Sequence, residues 1–218
     1  MRASLRTSTS ACIGALAALM TALPLYFYFP LVPYLRFELA EIPVMLGFFL
    51  LGPESAVLSS LIYWGVLLLV GEYSPIGPTM KLVAVVSMVL GLWLGFKLDR
   101  GLRTRLLVGS CLGCLFRVLS MTAFNYVIIA VMFPGFLETA AAAVSTALGI
   151  RFSSDLAALI VVIILTAFFN VLHTLLSIAP AYLLVKAVVR AGGEESVIRN
   201  SWYAELVRAA SRQAPRRS

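Results

Sequence analysis

Apolar residues run through this chain in long blocks, broken by short clusters of charge, proline and glycine, at about 11–29, 43–52, 55–71, 80–97, 106–133 and 156–189. A helix that crosses a bilayer needs about 20 mostly apolar residues. Six blocks therefore predict an all-α integral membrane protein, a bundle of six transmembrane helices over residues 1–190. The second block is short, about 15 Å as a helix, and is read either as half-inserted or as merging with the third across Gly52-Pro53. The first follows Arg2 and Arg6 as a signal peptide would, but about 19 residues exceed the usual apolar core of such a peptide and no small-x-small cleavage site follows. It is read as a retained span. Its Ala11, Ala15, Ala18 and Ala22 share one helix face and permit close approach by another helix, of this chain or of a partner.

Composition agrees with the pattern: of 218 residues 61% are hydrophobic and 12% charged, against about 25% charged in soluble domains. The net charge of +7 invites comparison with nucleic-acid binding until its placement is read. With six alternating spans, Arg2, Arg6, Lys97, Arg100, Arg103, Arg105, Lys186, Arg190 and the arginines beyond fall on one side, leaving Arg36, Arg151 and Lys81 on the other. The positive-inside rule then puts both termini in the cytoplasm of a multi-pass cell-membrane protein. The basic balance reports topology. After Gly192-Gly193, residues 191–218 mix Val197, Ile198, Trp202, Leu206 and Val207 with Arg, Glu and Asn, the composition of a basic amphipathic cytoplasmic tail.

Polar residues at lipid depth are costly and mark function or helix contact. The fifth block carries Arg117 near mid-depth and Asn125 near the outer boundary. In the sixth block Asn170 and His173 are three apart in its outer half, and Ser177 continues the same face one turn on. Side-chain amides on two spans at similar depth, between apolar walls, suit an outward-facing pocket for a polar-edged small molecule. Bridging of helices by the amides and a satisfied core histidine form the plain alternative. Arg117 is read as structural, bonding helix carbonyls or snorkelling. The first outer loop holds Pro30, Pro33 and Pro43 among Tyr34, Arg36, Phe37, Glu38, Leu39 and Glu41. It is either a lid over the pocket or an interfacial anchor.

Catalytic and energising motifs are missing. The sequence has one histidine, no H-E-x-x-H, no G-x-S-x-G and no carboxylate pair within a span, which argues against an enzyme. No G-x-x-x-x-G-K-[ST] loop is present for ATP, and Cys111 and Cys114 lack the further ligands of a metal site.

Three segments carry a resemblance. Leu35-Arg36-Phe37-Glu38-Leu39-Ala40-Glu41-Ile42-Pro43 resembles an L-K-L-D-x-S-D-I-P loop, Asn125-Tyr126 an N-Y pair before an outer proline (here Pro134), and Phe169-Asn170-Val171-Leu172-His173 an F-N-x-x-K run in the last span. All belong to the riboflavin-specific group of substrate-binding (S) components of energy-coupling factor (ECF) transporters, and the match covers most of residues 11–190. The resemblance implies vitamin capture at the outer face, with riboflavin as transported ligand and no cofactor. It also implies a membrane coupling subunit and two ATPase subunits as partners, with Ala11, Ala15, Ala18 and Ala22 docking on the former. Asn125, Asn170 and His173, with Phe37, Leu39 and Glu41 of the loop and Lys81, form the candidate substrate-binding set. His173 stands where that group has Lys, Ala40 where it has Ser, and Tyr63-Trp64 where a Lys-Asn pair is common. Another heterocyclic vitamin, or a structural membrane protein, is the alternative.

Overall fold

The computed structural model describes residues 2–22, 26–28, 35–70, 74–98, 100–191, 202 and 204. Seven helices are present among them: α1 (Arg2–Ala22), α2 (Glu41–Leu51), α3 (Pro53–Val70), α4 (Ile76–Phe96), α5 (Leu102–Tyr126), α6 (Pro134–Leu148) and α7 (Asp155–Ala191). Two three-residue strands, β1 (Tyr26–Tyr28) and β2 (Arg36–Glu38), pair antiparallel between α1 and α2, with Phe27 opposite Phe37. Among the described residues four helices are long and apolar enough to cross a membrane: Pro53–Val70, Ile76–Phe96, Leu102–Met132 and Asp155–Val188, while Thr9–Met20 and Glu41–Leu51 are shorter apolar helices.

The six expected spans are all helical, with two corrections. The first helix ends at Ala22 and β1 follows at Tyr26, so the run that continues apolar to position 29 is not one helix. Pro24 lies just past the end, where a proline cannot extend the hydrogen-bond ladder. The connection between the fifth and sixth blocks holds a helix of its own, α6, which starts at Pro134 and buries Ala140 and Val144. Ile129, Ala140 and Val162 pack together there, and Val144 joins Phe37 and Phe169. Proline at a first helical position needs no N–H partner, so the Pro-Gly pair that reads as a break opens a helix instead. Before it, Val127–Met132 continues α5 as a π-helical stretch whose last bond runs from the Phe133 N–H to the Ile128 carbonyl at 2.8 Å.

Two helix contacts are backbone to backbone or nearly so. On α4, Gly91 and Gly95 face Gly109 and Gly113 of α5; a Cβ on Gly95 would lie 2.1 Å from the Gly109 Cα, and one on Gly91 2.4 Å from the Leu112 carbonyl carbon. Both helices carry G-x-x-x-G, the spacing that lets two membrane helices touch. Helix α1 packs on α3 through Ser10, whose hydroxyl meets that of Ser55 at 2.6 Å and whose carbonyl accepts the Ser59 hydroxyl at 3.0 Å. The alanine stripe of α1 divides: Ala18 is in the core, Ala11 is half-buried and Ala15 is exposed, while the side chain of Ala22 lies outside the described residues.

The main core joins Val44, Met45, Phe48 and Phe49 of α2 to Val85, Met88, Val89, Leu92 and Phe96 of α4 and to Ile178, Ala181 and Val185 of α7. At one end Gly52 turns α2 into α3 with φ +103°, a value that side chains disfavour. Trp202 packs over this turn, its ring 5.0 Å from Phe48 and 5.4 Å from Phe96. Apart from Ala191, which ends α7, and Trp202 and Ala204, the expected amphipathic tail lies outside the described residues.

Replacing Gly95 with valine should separate α4 from α5. The expected result is loss of monodisperse protein on size exclusion in detergent, whereas Gly135→Ala, where an added Cβ meets nothing within 4 Å, should leave thermal unfolding unchanged or slightly higher.

Candidate functional site

A chain this apolar can hold a charge in its core only if the charge is neutralised and hydrogen-bonded. Arg117 meets both conditions. It lies about 22 Å along α5 from Leu102, is 2% exposed, and each of its five N–H groups has a partner. Nη1 and Nη2 form a two-pronged pair with Glu41, to Oε2 at 2.6 Å and Oε1 at 3.0 Å. Nε donates to the Asn170 Oδ1 at 3.0 Å, Nη2 also to the His173 Nδ1 at 3.2 Å, and Nη1 also to the Met88 sulfur at 3.7 Å. The expected structural arginine, bonded to helix carbonyls, is instead the hub of a side-chain cluster joining α2, α4, α5 and α7.

The partners fix one another. Glu41, fully buried, opens α2, and its Oε2 also accepts the Ser177 hydroxyl at 2.7 Å. His173 has one consistent proton arrangement. Its Nδ1 faces a guanidinium, which only donates, and its Nε2 faces the Glu38 carbonyl oxygen at 3.2 Å, which only accepts. The imidazole is therefore neutral with its proton on Nε2, and the cluster of Arg117, Glu41, Asn170, His173 and Ser177 carries no net charge. Asn170 holds its own place through a bond from its amide nitrogen to the Thr166 carbonyl at 2.9 Å. Asn170, His173 and Ser177 lie on one face of α7, as their spacing requires.

Strand β2 closes one side of the cluster. Phe37 is buried against Phe169 and His173 at ring separations of 4.5 and 5.7 Å. The buried carboxylate of Glu38 receives Arg36 Nε at 2.6 Å, the Tyr63 hydroxyl at 3.3 Å and the Lys81 ammonium. Burial raises the Glu38 pKa, but Lys81 and then Arg36 outweigh it and hold the group below its ordinary value. The stability this contributes is present above the unfolded-state pKa of about 4.3 and is lost as pH falls through the lowered folded-state value.

Of the candidate set, the structure thus brings Glu41, Asn170, His173 and Phe37 together. Lys81 reaches the group only through Glu38, and Leu39 is half-buried beside it. Asn125 stands apart, about 12 Å further along the same face of α5; it is buried, its amide nitrogen donates to the Met121 carbonyl at 2.7 Å, and its amide oxygen has no partner among the described residues. Arg117, Glu38, Tyr63 and Ser177 complete the site without having been in the set. A separate apolar groove of about 220 Å³ lies between α4 and the end of α5, lined by Ile76, Thr79, Met80, Phe124, Val127 and Met132 among others, and contains none of these residues.

Fold and site define a helical membrane protein with a buried polar site in its bundle, built on an Arg117–Glu41 cluster that carries no net charge. No protein-family profile matches the chain, and no curated protein matches it by sequence. A solved structure of the S component of a bacterial ECF transporter superposes on it with a TM-score of 0.66, covering 86% of this chain and 96% of that one at 19% identity. The chain has the S-component fold.

Removing one partner of the buried pair leaves the other charged and unpaired. Arg117→Met should lower stability by about 3–5 kcal/mol, and Arg117→Met/Glu41→Gln should recover part of it, read as thermal unfolding midpoints in detergent. Equal midpoints for wild type and Arg117→Met would show that the pair does not hold the helices together.

Proposed function

We propose that this chain is the substrate-capturing subunit of an ECF-type importer and that riboflavin is the vitamin it takes. The observation that carries the reading is the convergence of Arg117, Glu41, Asn170 and His173 beneath β2, with Phe37 and Phe169 beside them, in a chain of S-component fold. Apolar and aromatic walls with a few convergent donors and acceptors suit a flat heterocycle with a polar edge. The neutrality of the cluster favours an uncharged ligand, because an added charge would be buried without a counter-ion, and riboflavin is uncharged at neutral pH. Asn125, whose amide oxygen has no partner among the described residues, would meet the far end of a ligand as long as a flavin ring system.

The basic residues at the opposite end of the bundle favour a cytoplasmic placement of both termini, which turns β2 and the site outward. Energy for release then comes from a membrane coupling subunit and two ATPases, with the exposed Ala15 on the face of α1 offered to the former. Binding strength comes from ring burial and hydrogen bonds to groups already held in place.

Full use of the Arg117 donors by protein groups favours a second reading, in which the cluster only locks helices and no vitamin binds. Purified protein in mild detergent separates the two. Capture predicts a flavin absorbance spectrum or saturable quenching of tryptophan fluorescence at submicromolar riboflavin; the locking role predicts neither, and binding of a different vitamin from a panel would move the substrate assignment alone. Asn170→Ala should weaken binding at least about tenfold, and an affinity within twofold of wild type would remove Asn170 from the site. Ala15→Trp should spare binding and abolish uptake with the partner subunits; lost binding would instead mark Ala15 as an internal packing position.

A further inference from the structure

Strand β2 does more than cover the site. The rings of Phe37, Phe169 and His173 surround one point, at separations of 4.5, 5.3 and 5.7 Å, and Phe37 is the one of the three contributed by the strand. On the next residue, the Glu38 carbonyl oxygen takes the Nε2–H of His173 at 3.2 Å. Adjacent residues of β2 thus present to α7 a flat ring and, beside it, a carbonyl acceptor. These are the two features that a planar heterocycle with a ring carbonyl would bring to the same face.

The attachment of β2 is of a reversible kind. Among the described residues its polar ties to the helices run through Glu38, to Lys81 on α4 and Tyr63 on α3 by the carboxylate and to His173 on α7 by the carbonyl, and its ladder partner β1 belongs to the same connection between α1 and α2. On withdrawal toward the bundle end, water and ions replace such ties, because each polar group regains hydration that it had given up. The Phe37 ring is the part whose withdrawal costs most, since its contacts with Phe169 are apolar.

We infer that Phe37 and the Glu38 carbonyl are an internal stand-in for the ligand. In this structure β2 fills the slot, and it gives way to a planar heterocycle whose ring takes the place of Phe37 against Phe169 and His173 and whose carbonyl oxygen takes the His173 N–H. The inference rests on the capture reading and adds to it a ligand class and a competition. Competition has a sign. An internal competitor, when weakened, leaves more of the protein able to bind, so the apparent affinity rises; a phenylalanine that stacks on the bound ligand would lower affinity when removed.

The test is a titration of wild type, Phe37→Leu and Tyr63→Phe with riboflavin and with lumichrome, the flavin-type ring dione without the ribityl chain, followed by tryptophan quenching. Leucine keeps an apolar filling at position 37 while removing the ring, and Tyr63→Phe keeps the ring but removes the hydroxyl that ties Glu38 to α3, outside the Phe169–His173 slot. Phe37→Leu is expected to bind riboflavin at least about tenfold more tightly than wild type, and Tyr63→Phe a few-fold more tightly. Riboflavin bound by wild type but equally or more weakly by both variants overturns the stand-in and leaves the capture reading intact. Lumichrome bound by Phe37→Leu more tightly than by wild type, with riboflavin bound by neither, supports the stand-in and overturns the riboflavin assignment. Neither compound bound by any of the three proteins overturns both.

Discussion

The bidentate pair of Arg117 and Glu41 is the constraint around which the bundle closes. A guanidinium in so apolar a chain needs a counter-charge and five acceptors, and these come from three helices other than its own. Satisfying one residue therefore sets the relative heights of α2, α4, α5 and α7. Glu41 in turn stands at the start of α2. That start is fixed by the loop before it, so the placement of β2 and the placement of the arginine are one problem with one solution.

Much of the fold is legible in the order of apolar blocks, because lipid forces backbone groups to pair within each segment. Helices α3, α4, α5 and α7 follow from that rule with little tertiary information. Helix α6 does not: its Ala-Thr-Ser sequence is too mixed for a span, its Pro-Gly start reads as a break, and what makes it a helix is the seat that Val162 and Phe169 offer to Ala140 and Val144. The contact of α4 with α5 was legible in principle, since G-x-x-x-G occurs on both helices, but which pair of faces meets is decided only by the rest of the bundle.

The candidate site divides in a similar way. Spacing alone places Asn170, His173 and Ser177 on one face of α7. The role of Arg117 was not legible, because a single basic residue within an apolar helix is compatible with snorkelling, with a carbonyl contact or with a distant carboxylate. Its partner Glu41 is 76 positions away, at the edge of a proline-rich loop where acidic residues are commonly solvated. Glu38 illustrates the same limit more sharply: its side chain and its main-chain carbonyl reach different helices, and no pattern in a sequence announces a backbone acceptor.

The glycine contact of α4 with α5 bears on how such a site opens. With no side chain between the two backbones there is no layer to shear, so turning one helix against the other would drive main-chain atoms into each other. Lys81 and Arg117 accordingly ride on a single stiff paddle. Helix α2 is tied to that paddle through Glu41, so any opening would fall to the strand alone, in a vessel with one fixed side and one thin one.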